Sequence, residues 1–206
     1  MAHLELDHIV ISAERLEDGR AHVEKLLNLT LAPGGKHPDM GTHNALLNLG
    51  KTYLEVIAID PDAPGPDHAR WFDLDNFSGP PRLTHWVART DDLAGALALA
   101  PPGTGTARAL SRGDLRWKMA VPGNGKLPYD GGFPGLISWQ GDVHPTGLLP
   151  KANCRLSALH ITHPRGEDLR ADLGKFEGGL GTRIEAGAAF GIRATVLCPC
   201  GSVTLT

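Results

Sequence analysis

No apolar run in this 206-residue chain approaches the roughly 18 residues that a membrane-spanning helix needs. The segment Met1-Ala2-His3-Leu4-Glu5 has neither a basic nor an apolar stretch, so no signal peptide is expected. Charge is nearly balanced at −3, which leaves no bulk attraction to nucleic acid or to an anionic membrane. Cysteine is scarce and odd in number: Cys154, Cys198 and Cys200. Cys198-Pro199-Cys200 is too tight for an easy local disulfide and lacks the two-residue gap of zinc knuckles. The thiols are therefore expected to be unpaired and the protein cytoplasmic. Gly34-Gly35, Gly123-Asn124-Gly125 and Gly131-Gly132 lack the strand-turn-helix setting of a nucleotide loop and read as turns. A Ser-His-Asp elbow is also missing. Aromatics reach only 5%, so the four tryptophans stand out: Trp71 in the Pro-rich stretch 61–81, and Trp86, Trp117 and Trp139 in stretches beyond it that read as strands.

What the chain does contain is ordinary globular material, 41% hydrophobic and 21% charged, with 26 glycines and 16 prolines that imply many turns between short strands. Within it one pattern recurs. His8, His85 and His160 each sit inside a short apolar run, at intervals of 77 and 75 residues, and each run is followed by a stretch with helical periodicity. A neutral imidazole is the commonest metal ligand and a ready acid or base, so a histidine held at one place in a repeated unit is a candidate site.

The pattern predicts three βαβββ units: residues 1–60, 82–144 and a degenerate third at 154–206, with a Pro-rich linker at 61–81. In the first, strands are expected at Leu4–Ser12, near Thr30–Ala32, at His43–Leu49 and at Lys51–Ile59, with a helix over Asp18–Leu29 and a break at Pro33-Gly34-Gly35. Strand alternation puts His8 on one face with Leu6 and Val10, opposite Asp7. It puts Glu55 on a face with Tyr53, Ile57 and Ile59, and His85 with Leu83 and Val87. Glu55 is then a carboxylate in apolar surroundings, which is costly unless it is paired or bound to a metal; Arg82 and Arg116 are candidate partners.

Leu6-Asp7-His8-Ile9-Val10, Tyr53-Leu54-Glu55-Val56-Ile57, Leu115-Arg116-Trp117-Lys118-Met119, Gly135-Leu136-Ile137-Ser138-Trp139 and Val143-His144-Pro145 resemble the glyoxalase-like-domain branch of the vicinal oxygen chelate superfamily, a branch made up mainly of bacterial proteins. The resemblance implies an α+β fold in which βαβββ units form a curved mixed sheet, a cup with helices outside. It implies a divalent metal (Fe, Zn, Ni or Mn) held by His8, Glu55 and His85, with a fourth position near Ser138 or Gln140. Two histidines and a carboxylate leave open positions for two vicinal oxygens of a substrate. Glu55 is then the catalytic residue, with His43, Trp117, Trp139 and His144 lining the substrate cavity. The activity implied is that of a lyase, an isomerase or a ring-cleaving dioxygenase on a small substrate, in a homodimer. A metal-free small-molecule binder using the same cavity is the alternative. His160 is expected to be structural, and His22, His37, His68 and His163 to lie at the surface or in loops.

Overall fold

The computed structural model describes residues 2–206. Its first elements are β1 (Glu5–Ser12), α1 (Leu16–Leu27), β2 (Ala32–His37), β3 (Thr42–Asn48) and β4 (Tyr53–Ile59). α1 buries Gly19, Val23 and Leu27 on one stripe, carries Glu17 and Asp18 in its first turn, and stops at Asn28 in the left-handed conformation (φ 51°). The same order returns in β5 (Arg82–Arg89), α2 (Leu93–Leu99), β6 (Thr106–Arg112), β7 (Leu115–Val121) and β8 (Gly135–Trp139). The Asp92 carboxylate caps α2 by accepting from the Gly95 amide.

These strands form one eight-stranded sheet in the order β2-β3-β4-β1-β5-β8-β7-β6. β1 runs parallel to β4, and β5 parallel to β8. The antiparallel pair β1–β5 joins the halves, so the second repeats the first in reverse order across that seam. The sheet curls into a half-barrel. Its concave face holds Val10, Ile57, Val87, Trp117, Met119 and Ile137 in one buried cluster. Its convex face packs Ile9, Ile11, Leu54, Val56, Trp86 and Leu136 against α1, α2 and a second sheet. The chain between β4 and β5 is more than a spacer. A 3-10 turn over Trp71–Asn76, with positive φ at Phe72 (57°) and Asp73 (52°), sends Trp71 and Phe72 into the concave cluster.

After a short helix α3 (Pro145–Leu148) come β9 (Arg155–His163), α4 (Gly166–Leu173), β10 (Thr182–Ala186), β11 (Gly191–Cys198) and β12 (Gly201–Leu205). Their chain order is again βαβββ, but their pairing is not. β9 lies between β10 and β11 in a separate four-stranded sheet, β10-β9-β11-β12. The third stretch therefore covers the outside of the cup and adds no strand to it.

Two expectations fail here. Pro33-Gly34-Gly35 lies within β2, an edge strand that bulges between Pro33 and Lys36 and so tolerates a proline. Cys154 and Cys198 form a disulfide, leaving Cys200 as the free, exposed thiol. An odd count argues against a framework of bridges, not against a single one, and the argument from unpaired thiols to a cytoplasmic protein lapses with it. No helix among the described residues is long and apolar enough to cross a membrane.

Candidate functional site

The concave cluster leaves a recess lined by His8, His37, Tyr53, Glu55, Trp71, Phe72, Arg112, Trp117, Met119, Ile137 and Trp139. It holds about 330 Å³ of space between atoms, part of it open to solvent.

Its floor is built on β1 and β4. The register pairs His8 with Tyr53 and Val10 with Glu55, so all four side chains rise on the same side. His8 Nε2 lies 3.5 Å from Glu55 Oε2. His8 Nδ1 donates to Asp7 Oδ1 at 2.6 Å. Strict alternation would turn Asp7 away, but the β1–β5 ladder shifts register between Leu6 and His8. Asp7 is the extra residue of that β-bulge, which re-aims a side chain. It accepts further from Trp139 Nε1 at 2.9 Å and lies 3.0 Å from His144 Nε2.

Burial disfavours charge on all three groups, yet mutual contact outweighs it. His8 is raised well above an ordinary imidazole by Asp7 and Glu55. Asp7 is lowered by His144 and His8. Glu55 is lowered chiefly by His8, with help from Asn44. At neutral pH the recess thus holds an imidazolium between two carboxylates.

Asn44, from β3, extends the network. Its Oδ1 accepts from the Gly35 amide and from Arg112 Nη1, each at 2.9 Å, which fixes its Nδ2 as the donor to Glu55 Oε1. A Cβ at Gly34 would stand 1.9 Å from Asn44 Oδ1, so the glycine pair makes room for this amide. Arg112, at the end of edge strand β6, reaches across to the opposite edge at β2. A Cβ at Gly35 would lie 2.8 Å from its Cδ. His37 is no loop residue: it is 4% exposed, bonded to Thr42 Oγ1 at 3.0 Å, and lowered by burial to about 4.

Of the residues singled out from sequence, His8, Glu55, Trp117 and Trp139 meet in this recess. His144 lies behind Asp7 and is not part of the lining. His43 pairs with Ala58, on the face opposite Asn44 and Glu55, so it points away from the recess. Glu55 takes neither arginine expected of it. Arg82 stacks on Phe77, and Arg116 donates to the Gly113 and Leu115 carbonyls. His160 bonds Glu185 in the second sheet, and His163, also buried, contacts Asp130.

His85 does not join His8 and Glu55. It pairs with Val10, which also pairs with Glu55, so a strand stands between the two ligand candidates. Its ring packs on Phe72 (centroids 5.2 Å apart) and lines a different recess with Arg82, Asp130 and Phe190. Its Nδ1 is buried without a partner among the described residues, and burial lowers its pKa to about 3. The fourth position differs too. Val87 pairs with Gly135 as Val10 pairs with Glu55, so the counterpart of Glu55 is Gly135, not Ser138 or Gln140. Met119 and Phe72 fill the space beside that glycine. Among the described residues, no three His, Cys, Asp or Glu side chains are placed to hold a metal ion. As arranged, the two-histidine, one-carboxylate set does not fit a metal centre.

The glyoxalase-like domain model matches residues 6–175. No curated protein matches the sequence. A hypothetical protein from Staphylococcus aureus has the same fold at 13% identity, with 91% of this chain and 87% of that chain covered and a TM-score of 0.61. Methylmalonyl-CoA epimerase from Mycobacterium tuberculosis aligns more loosely: 18% identity, 68% and 89% coverage, TM-score 0.44. A Streptomyces coelicolor methylmalonyl-CoA epimerase in complex with 2-nitronate-propionyl-CoA gives 14%, 69% and 100%, and 0.45. With its model covering both halves of the cup and the first strand and helix beyond, the chain belongs to the glyoxalase-like domain family, within the vicinal oxygen chelate superfamily.

Proposed function

We propose that this protein is an enzyme that moves a proton on the carbon beside a carbonyl in a small molecule with adjacent oxygens, by general acid–base chemistry. The reaction is of the isomerase or lyase type. The observation that carries this reading is the buried contact of Glu55 with an imidazolium, His8, that Asp7 holds in place. Glu55 takes the proton from carbon. His8 Nε2 gives its proton to the oxygen on which the electron pair settles. Return of that proton from Glu55 to the adjacent carbon while His8 takes back the proton of the other oxygen, or loss of a leaving group, completes either outcome. General acid–base groups contribute about 10²–10⁴-fold each. Ring cleavage at an iron centre draws no support from the donor set, because His85 and Gly135 do not complete it.

The aromatic walls, Trp71, Phe72, Trp117 and Trp139, support the second reading, a protein that only encloses its ligand. One experiment separates the two. Chelator-treated protein is incubated in D2O with a panel of small 2-oxo acids and 1,2-diones, and loss of the proton next to the carbonyl is followed by NMR. Exchange by the wild type that falls at least about 100-fold in Glu55→Gln supports the enzyme. Ligand binding without exchange supports the binder. Exchange that survives Glu55→Gln overturns the role given to Glu55.

A further inference from the structure

Two groups in the wall of the recess have donors to spare: Arg112 meets no anion, and Trp71 meets no acceptor among the described residues. Arg112 is half-buried, and no carboxylate among the described residues lies within 4 Å of it, although Arg70, Arg89 and Lys36 each have one. A guanidinium carries five N–H donors, and the contacts of this one are to neutral groups: Asn44 Oδ1, and His37 Nε2 at 3.5 Å. Trp71 is 4% exposed, and its indole Nε1 has no partner among the described residues. A buried donor left without a partner is costly, so a group of this kind commonly marks where an acceptor is to arrive. Both residues stand in the same recess as Glu55 and His8, and Arg112 is linked to Glu55 through a single amide.

A planar acceptor with two oxygens matches a guanidinium better than a lone carbonyl does, because both oxygens engage the fork. We infer that the recess is a carboxylate receptor, with Arg112 as the anchoring cation, and that the substrate is a small 2-oxo or 2-hydroxy acid. The inference rests on the acid–base reading for the word substrate, but the carboxylate site stands or falls by binding alone. The acid places its carboxylate on Arg112 and turns the C–H that exchanges toward Glu55, on the other side of the Asn44 amide.

Tryptophans 71, 117 and 139 line the recess and report on its occupancy by fluorescence. The probes are 2-oxobutanoate and 2,3-pentanedione, which share an exchangeable C–H beside a carbonyl and differ in the carboxylate. The acid is expected to bind the wild type roughly tenfold or more tighter than the dione. Arg112→Ala should weaken the acid by a similar factor and change the dione by less than about twofold, and Arg112→Lys should restore part of the loss. Circular dichroism establishes that both variants are folded. Equal affinity for the two probes, no binding of the acid at millimolar concentration, or acid binding unchanged in Arg112→Ala overturns the carboxylate site. Exchange in D2O separates this from the wider reading. Acid binding through Arg112 without exchange removes the enzyme and keeps the site. Exchange of both probes, indifferent to Arg112, removes the site and keeps the enzyme.

Discussion

Glu55 and Arg112 lie on opposite sides of one side-chain amide, that of Asn44. The carboxylate receives its Nδ2–H and the guanidinium donates to its oxygen, so a strand-borne acid on one half of the cup is tied to the last residue of β6 on the other. The amide cannot turn over, because the Gly35 amide also donates to Oδ1.

Replacing Asn44 with alanine removes the amide and its contacts with Glu55, Arg112 and the Gly35 amide. Glu55 then loses a hydrogen bond while staying buried, and the loss is expected to be about 1–3 kcal/mol. Urea unfolding followed by circular dichroism measures it. A change below about 0.5 kcal/mol would show that the amide is not holding the carboxylate.

Chelator should leave thermal stability alone. A metal bound only by the folded state would add about 2.7 kcal/mol at a hundredfold excess over its Kd. The side chains here offer no three-ligand cluster, so the melting temperature is expected to be the same with EDTA and with added zinc, nickel, manganese or ferrous iron. A metal-specific rise of several degrees would mean that His85 swings past Phe72 to join His8 and Glu55.

Acid should destabilise the fold partly through His85. Burial holds this imidazole near 3, whereas an unfolded one titrates near 6.5. Between those values the unfolded chain binds a proton that the folded chain refuses, so stability drops as pH falls through that window. His37, lowered to about 4 by burial, acts with the same sign. His8 acts with the opposite one. Burial opposes its charge, but Asp7 and Glu55 lift it to about 9, so its contribution is complete below about 6.5 and lost as pH rises through about 9. His85→Leu should therefore flatten the stability profile between about pH 4 and 6 by close to 1.4 kcal/mol per pH unit. An unchanged slope in denaturant titrations would place the proton elsewhere.

The Cys154–Cys198 bridge closes a separation of 44 residues within the third stretch. The chain-entropy argument gives about 3–4 kcal/mol for a loop of that size. Replacing both cysteines with serine should lower the melting temperature, and a reductant should do the same to the wild type and nothing to the variant. Identical melting of all three would show the bridge to be dispensable.

Much of the architecture was legible because strands such as Arg82–Arg89, Leu115–Val121 and Thr182–Ala186 carry their own pattern and are bounded by turns. Pairing was not, because it depends on partners far along the chain. The third βαβββ run has the same order as the first two and a different sheet. At the site, His8 and Glu55 stood out as polar groups in apolar strands. Asp7 did not, since alternation places it on the opposite face and only the bulge turns it toward His8. Asn44 and Arg112 look like any surface residues until the curl of the sheet brings its two edges together. The glycine pair before β3 was the one trace of them, and glycine pairs have many causes.

β2 and β6 are the two ends of the eight-stranded order, and no backbone ladder joins them. Where they approach, Arg112 stitches the wall, laid over Gly35 and fastened to Asn44. The carboxylate inferred for that guanidinium engages donors that the seam leaves unused. Closing the cup and meeting the ligand thus fall to one side chain.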